Sequence, residues 1–175
     1  MAHYAVEERR IAAGRLGDYL DVIEAIHRSL VSARGRLTMR AYVSESEPDA
    51  VLAVSGWAQR RDAAGAEQML QPRQMARLSE LTRETQPSRW FVTEREITTF
   101  IGQPTVAAAS LMTIAAADVP AVLAWARRGQ NRAAEMDEVI ATQVLRAEDE
   151  PGRLLFLVEY RDEAARAAVR AMVAA

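Results

Sequence analysis

The chain contains no cysteine. Disulfides, thiolate nucleophiles, iron–sulfur clusters and cysteine-based zinc sites are therefore excluded. It contains no lysine either: all 22 cationic side chains are arginine, which rules out Schiff-base chemistry and covalently held pyridoxal phosphate. With only two histidines, His3 and His27, the inventory for a metal centre is poor, and none is expected. Charge of one sign is also missing. The formal net charge is -2, and the Arg-Arg pairs at 9–10, 60–61 and 127–128 mostly have acidic neighbours, so no concentrated basic face points to nucleic acid. No run is long enough to span a bilayer, and the segment Met1–Arg10 has no apolar h-region. A soluble cytoplasmic protein without a membrane partner is expected. G-x-G-x-x-G, P-loop and G-x-S-x-G patterns are absent, which removes support for nucleotide cofactors and for a serine-hydrolase elbow.

What is present is a pattern written twice. The chain has 175 residues, half of them hydrophobic, enough for one domain or two small ones. Sliding the sequence along itself by 103 positions sets Ile11-Ala12-Ala13 on Ile114-Ala115-Ala116, Leu20 on Leu123, Glu47-Pro48 on Glu150-Pro151 and Trp57 on Tyr160. Each copy reads strand, helix, strand, acidic turn with Pro, strand, helix. One long repeat of this kind is a duplicated unit rather than a solenoid.

In the first copy, residues 3–11 read as a strand, and Leu16, Leu20, Ile23, His27 and Leu30 form a helical stripe that predicts a helix to about Arg34. Leu37, Met39, Ala41 and Val43 then alternate with Arg36, Thr38, Arg40 and Tyr42, the period of a half-buried strand. Residues 44–49 are a turn by composition, and Val51–Trp57 completes a hairpin. A helix is predicted from Ala63 to about Thr85, with Met69, Met75, Leu78 and Leu81 inward, and a fourth strand from Trp90 to about Phe100. After Gly102-Gln103-Pro104 the second copy restarts with strand Val106–Ile114. Its helix carries Asp118 as N-cap and Pro120 in the first turn and runs to about Met136. A hairpin Val139–Arg146 and Leu154–Tyr160 and a final helix from about Asp162 follow. The second copy has no fourth strand. The domains expected are 1–101 and 102–175.

The order β-α-β-β-α-β is ferredoxin-like: an antiparallel sheet with its helices on one face. Its other face needs a cover, and the second copy is the expected one. The unpaired edge of the truncated copy leaves room for a homodimer.

The segment Val51–Trp57 followed by Arg61-Asp62-Ala63-Ala64-Gly65-Ala66-Glu67-Gln68-Met69-Leu70-Gln71-Pro72 resembles the antibiotic biosynthesis monooxygenase family of the dimeric α+β barrel superfamily. That resemblance implies an α+β fold, here a tandem ferredoxin-like repeat forming a single-chain α+β barrel. It implies a small aromatic, polyketide-type substrate oxidised without cofactor, through the substrate's own stabilised carbanion. Where members show a His-x-x-Ser-Pro-like stretch, this chain has Gln68-Met69 and Gln71-Pro72. The haem-degrading members use an Asn on the first strand with a Trp and a His on the second helix. None of these is matched here: the one asparagine, Asn131, is on a helix of the second copy, and residues 63–85 hold no Trp or His.

The hairpin supplies the candidate site. Arg36, Thr38, Arg40 and Tyr42, with Ser55 and Trp57, are read as one polar-aromatic face. Leu37, Met39, Ala41, Val43, Leu52 and Val54 are read as the face on the helices. Arg40 can hold a phenolate or enolate by charge-assisted hydrogen bonds. Tyr42, Ser55 and Trp57 are the candidate substrate contacts, joined by Arg95 on the fourth strand and Tyr160 at the place equivalent to Trp57. His27 is the candidate general base. The competing readings are an arginine–carboxylate network that only closes an interface, and a non-catalytic ligand-binding or structural protein. The copies differ usefully: Thr38, Arg40, Tyr42 and Ser55 become Ala141, Gln143, Leu145 and Val158. One polar wall opposite one apolar wall suits an amphipathic small molecule.

Overall fold

In the computed structural model, which describes residues 2–99 and 106–174, the chain divides into two compact units, Met1–Val92 and Thr93–Ala175. Phe100 and the Gly102-Gln103-Pro104 restart lie outside the described residues.

The first unit is built from β1 (His3–Ile11), α1 (Leu16–Ser29), β2 (Arg36–Val43), β3 (Ala50–Trp57), α2 (Arg60–Glu67), α3 (Pro72–Leu81), β4 (Thr82–Thr85) and the start of β5 (Arg89–Thr98). Its sheet runs β2-β3-β1-β5, antiparallel, with β4 also on β1. This is the ferredoxin-like order, and the helices lie on one face. Ile11, Tyr19, Ile26, Leu30, Val51, Trp57, Leu78 and Leu81 form its buried core. Burying each of the larger aliphatic or aromatic side chains contributes about 1.5–3 kcal/mol.

The predicted helix 63–85 is three elements. Gln71 precedes Pro72 and is held extended (φ -76, ψ 135), because the proline ring disfavours a helical residue before it. Pro72 then opens α3, where its missing N–H costs nothing. Thr82–Thr85 leaves the helix to pair with β1. Leu78 and Leu81 are inward as expected, whereas Met69 and Met75 are exposed. The stripe on α1 is also rotated. Tyr19 and Ile26 are the buried residues, while Leu20 and His27 are exposed and the helix ends at Ser29.

The second unit holds the rest of β5, β6 (Val106–Thr113), a short 3-10 turn (Ala116–Asp118), α4 (Val119–Ala133), β7 (Val139–Ala147), β8 (Arg153–Tyr160) and α5 (Glu163–Ala174). β8 pairs with both β6 and β7. Asp118 stands at the head of α4 but makes no side-chain capping bond.

The offset of 103 is carried into the hydrogen-bond register without a gap. His3↔Trp57 and Arg10↔Ala50 in β1·β3 become Val106↔Tyr160 and Thr113↔Arg153 in β6·β8. The β2·β3 bulge between Arg36 and Thr38 returns between Val139 and Ala141. Even the bond closing the first strand repeats: Ile11 N–H to Asp49 O (2.7 Å) and Ile114 N–H to Gly152 O (2.9 Å). Each unit is an α+β sheet-and-helix layer of one design.

Candidate functional site

In an antiparallel pair, residues directly opposite each other share a face, so the registers assign every side chain of the first sheet. Met39, Ala41, Val51 and Trp57 pack on the helices. The opposite face is laid out in rows across the strands. Thr38, Gly56, Tyr4 and Phe91 form the first; Arg40, Val54, Val6 and Arg89 the second; Tyr42, Leu52 and Glu8 the third.

The first row is largely closed to solvent, with Tyr4 at 3% and Phe91 at 0% exposure. In the second row Val6 and Val54 are buried while Arg40 and Arg89 are half-buried at either end. Strand spacing sets these two arginines about 14 Å apart along the row. In the third, Tyr42 is half-buried and Glu8 exposed. The result is an apolar floor with aromatic rings at Tyr4 and Tyr42 and a guanidinium at each side. Tyr4, Glu8, Arg40, Tyr42 and Arg89 are each held by further interactions.

The ring of Tyr4 crosses the backbone of Gly56: a Cβ there would stand 2.8 Å from Tyr4 Cε1 and 2.8 Å from Thr38 Cγ2. Glycine is the residue that lets an aromatic lie flat against a strand.

This face keeps Arg40 and Tyr42 together and parts them from Ser55 and Trp57. Trp57 is buried (3%) on the helix side, where its indole N–H donates to Ser55 Oγ at 3.0 Å. The correction has a physical reason. Both faces of Val51–Trp57 are apolar, so alternation carries no sign of which side meets the helices, and a one-residue shift of parity exchanges the faces. The same holds for Leu52 and Val54, which lie with Arg40 and Tyr42 and not on the helices.

Tyr160 takes the place of Trp57 in the second unit, buried at 7% with Val139 and Ala165; burial raises its phenol pKa, against the opposing charges of Arg166 and Arg170. Arg95 donates to Asn131 Oδ1 of α4 at 2.8 Å, so it serves the helix side of the second unit. His27 is exposed near the end of α1, and its backbone oxygen accepts from Arg36 Nη1 (3.2 Å). Its imidazole pKa lies below 6.5, through partial desolvation first and then the charges of Arg36 and Arg40, with Glu24 opposing. His27 thus belongs to the helix side of the sheet, whereas Arg40 stands on the opposite face. Among the described residues, no three His, Asp or Glu side chains converge as metal ligands, and no helix is long and apolar enough to cross a membrane.

Tyr4, Gly56, Phe91 and Arg89 were not singled out by the sequence. The signal for Tyr4 was the alternation Tyr4-Ala5-Val6 on a strand whose ends carry mixed polarity; for the others it lies only in the register.

In the second unit the equivalent face loses its arginine and its tyrosines and gains a carboxylate, Glu159, at the place of Gly56. Tyr4, Val6 and Glu8 become Ala107, Ala109 and Leu111; Thr38, Arg40 and Tyr42 become Ala141, Gln143 and Leu145. Leu145 and Leu155 are fully buried, and Gln143 donates to Glu96 at 2.9 Å.

No protein-family model matches the sequence, and no curated protein matches it. Solved structures do match in fold. A candidate monooxygenase of Fusobacterium nucleatum superposes with a TM-score of 0.81 at 10% identity, over 97% of this chain and 80% of its own. One from Lactobacillus acidophilus gives 0.71 at 13% identity, over 95% and 80%. An anthrone oxidase-like protein gives 0.69 at 12% identity, over 97% and 77%. At such identities the likeness is one of fold: the chain is a tandem α+β protein sharing its architecture, over nearly its whole length, with proteins named as monooxygenases.

Proposed function

We propose that the protein is a cofactor-independent oxygenase acting on a planar aromatic, polyketide-type phenol. The observation that carries this reading is the face of the first unit on which Arg40 shares a side with Tyr4, Tyr42 and a buried apolar floor. The half-buried Tyr42 and Leu52 offer apolar contact to a flat ring system, above a floor closed by Val6, Val54 and Phe91. Arg40 offers a fixed positive charge to an oxygen that becomes anionic when the substrate loses a proton, which stabilises the reactive carbanion. That carbanion reduces dioxygen directly. A ring methylene becomes a carbonyl, one oxygen atom enters the product and the other leaves as water, with both electron pairs supplied by the substrate.

His27 stands on α1, on the helix side of the sheet and across it from the row of Arg40 and Val54, so the proton lost by the substrate is assigned to solvent, with the Arg40 charge favouring its release. The fold shared with an anthrone oxidase-like protein agrees with this chemistry.

The test is oxygen uptake by the purified protein with anthrone in metal-free buffer. Uptake matched by quinone formation, and reduced at least about tenfold by Arg40→Ala, is expected for loss of a charge-assisted contact. Anthrone binding without turnover would make the protein a ligand-binding module. A Soret shift with added haemin, followed by bleaching under a reductant, would overturn the reading in favour of haem chemistry.

A further inference from the structure

The largest exposed aromatic of the described residues is Trp125, 60% accessible on α4. It is not loose: its ring stands edge-on to Phe156 of β8, centroids 6.3 Å apart at 73°. The repeat shows what covers the same stripe in the first unit. By the constant offset, Ala121, Trp125, Arg128 and Arg132 of α4 correspond to Asp18, Val22, Ala25 and Ser29 of α1. In the first unit that stripe is covered by α3: Asp18 pairs with Arg77 at 3.7 Å, Gln74 Nε2 donates to Ser29 Oγ at 3.2 Å, and half-buried Val22 joins the core that holds Leu78 and Leu81. In the second unit α5 repeats α2, and no helix follows it among the described residues to repeat α3. Ala121, Arg128 and Arg132 are exposed, and neither arginine forms an ion pair among the described residues.

The charges differ between the copies. On α1 the stripe offers Asp18 to an arginine of the covering helix; on α4 that place is Ala121, and Arg128 and Arg132 stand one and two turns beyond Trp125, at the places of Ala25 and Ser29. We propose that this face of α4 is a docking site for an amphipathic helix bearing carboxylates, lying where α3 lies in the first unit. Apolar residues of the ligand helix cover Trp125, and its flanking Glu or Asp pair with Arg128 and Arg132. A second copy presenting the same face would bring like charges together, so the occupant is an acidic helix and not this face of another copy. Trp and Arg are the residue types on which helix-in-groove contacts concentrate their energy.

The probe is a synthetic helical peptide with leucines at every third and fourth position flanked by glutamates, compared with the same peptide carrying lysines. Trp125 is exposed, so its substitution leaves the core intact; near-UV circular dichroism serves as the folding control. Expected are a blue shift of Trp125 emission on adding the acidic peptide, weaker binding as salt rises, and at least tenfold loss in Trp125→Ala. The paired variant Arg128→Glu/Arg132→Glu should lose the acidic peptide and gain the basic one. Equal binding of both peptides, binding indifferent to Trp125→Ala, or no binding of the acidic peptide would overturn the proposal. So would a concentration-dependent dimer that Trp125→Ala dissolves, which would make a second copy the occupant.

Discussion

Tyr4 occupies the space that a side chain at Gly56 would need, since a Cβ there would meet Tyr4 Cε1 at 2.8 Å. Tyr4 is 3% exposed and Val54 on the same strand 2%, so neither ring nor strand has room to give. Gly56→Val should therefore destabilise the protein by about 1–3 kcal/mol, the range for overpacking. Urea denaturation of the variant and of Glu159→Ala, the equivalent position of the second unit, gives the comparison. The latter should not show an overpacking loss, because it removes volume and residue 107 opposite it is an alanine where Tyr4 stands opposite Gly56. Equal losses at both positions would disprove the account.

A buried charge cluster lies beneath α1. Arg9 Nε donates to Glu7 Oε2 at 3.0 Å and Nη2 approaches the same oxygen, while the neighbouring Tyr19 is fully buried. The Tyr19 hydroxyl and Arg9 Nη1 are both shielded from solvent without a well-formed hydrogen bond. Removing Glu7 leaves the Arg9 charge uncompensated, so Glu7→Gln should cost on the order of 2–3 kcal/mol, somewhat less than a fully buried pair. Tyr19→Phe removes an unsatisfied hydroxyl and should cost under about 1 kcal/mol.

The same cluster sets an alkaline limb. Burial raises the Tyr19 pKa above 10.0, with the Arg9 charge opposing. A phenol whose folded pKa is raised contributes stability below its unfolded value, and that contribution falls as pH rises beyond about 10. Tyr19→Phe should flatten this part of the stability profile, measured by denaturant midpoint against pH.

The duplication was legible in the sequence because its landmarks fall where the fold forbids drift: Ile11 and Ile114 close equivalent strands, and Glu47-Pro48 and Glu150-Pro151 turn equivalent hairpins. The arginine-bearing face was legible on β2, where Arg40 and Tyr42 alternate with Met39 and Ala41. On β3 it was not, since Val51, Ala53, Leu52 and Val54 give no polar contrast, and Trp57 meets its one polar need through Ser55 two residues away. The break at Pro72 was masked because Met75, Leu78 and Leu81 continue a helical stripe across it, and helical spacing does not report the residue before a proline. Trp125 is 60% exposed although its equivalent Val22 is half-buried, a difference that the apolar chemistry of both residues does not reveal.

Acid stability should depend on Asp162 at the start of α5. Its Oδ1 accepts the Ala165 N–H at 2.8 Å, and this bond, ahead of the opposing desolvation and the Arg161 charge, holds its pKa below 3.8. A carboxylate depressed in the folded state contributes stability above its unfolded pKa and loses it as pH falls through the folded one. Asp162→Ala should lower the melting temperature at pH 7, and the gap to the parent protein should close below about pH 4. A gap that persists at low pH would mean the carboxylate charge is not what the cap requires.

The last prediction separates the site from the core. Arg40 and Trp57 lie on opposite faces of one hairpin, the first half-buried beside Tyr42 and the second enclosed under the helices. Trp57→Ala opens a cavity in the core and should cost about 3–5 kcal/mol of stability. Arg40→Ala should cost far less stability than Trp57→Ala while reducing anthrone turnover at least about tenfold, the loss expected for a charge-assisted contact. Gln143→Ala, at the equivalent place in the second unit, should leave turnover unchanged, because its side chain is engaged with Glu96. His27→Gln should leave turnover nearly unchanged, because His27 lies on the helix side of the sheet and Arg40 on the other. A large stability loss in Arg40→Ala with turnover per folded molecule intact would make the guanidinium a structural group and move the site elsewhere.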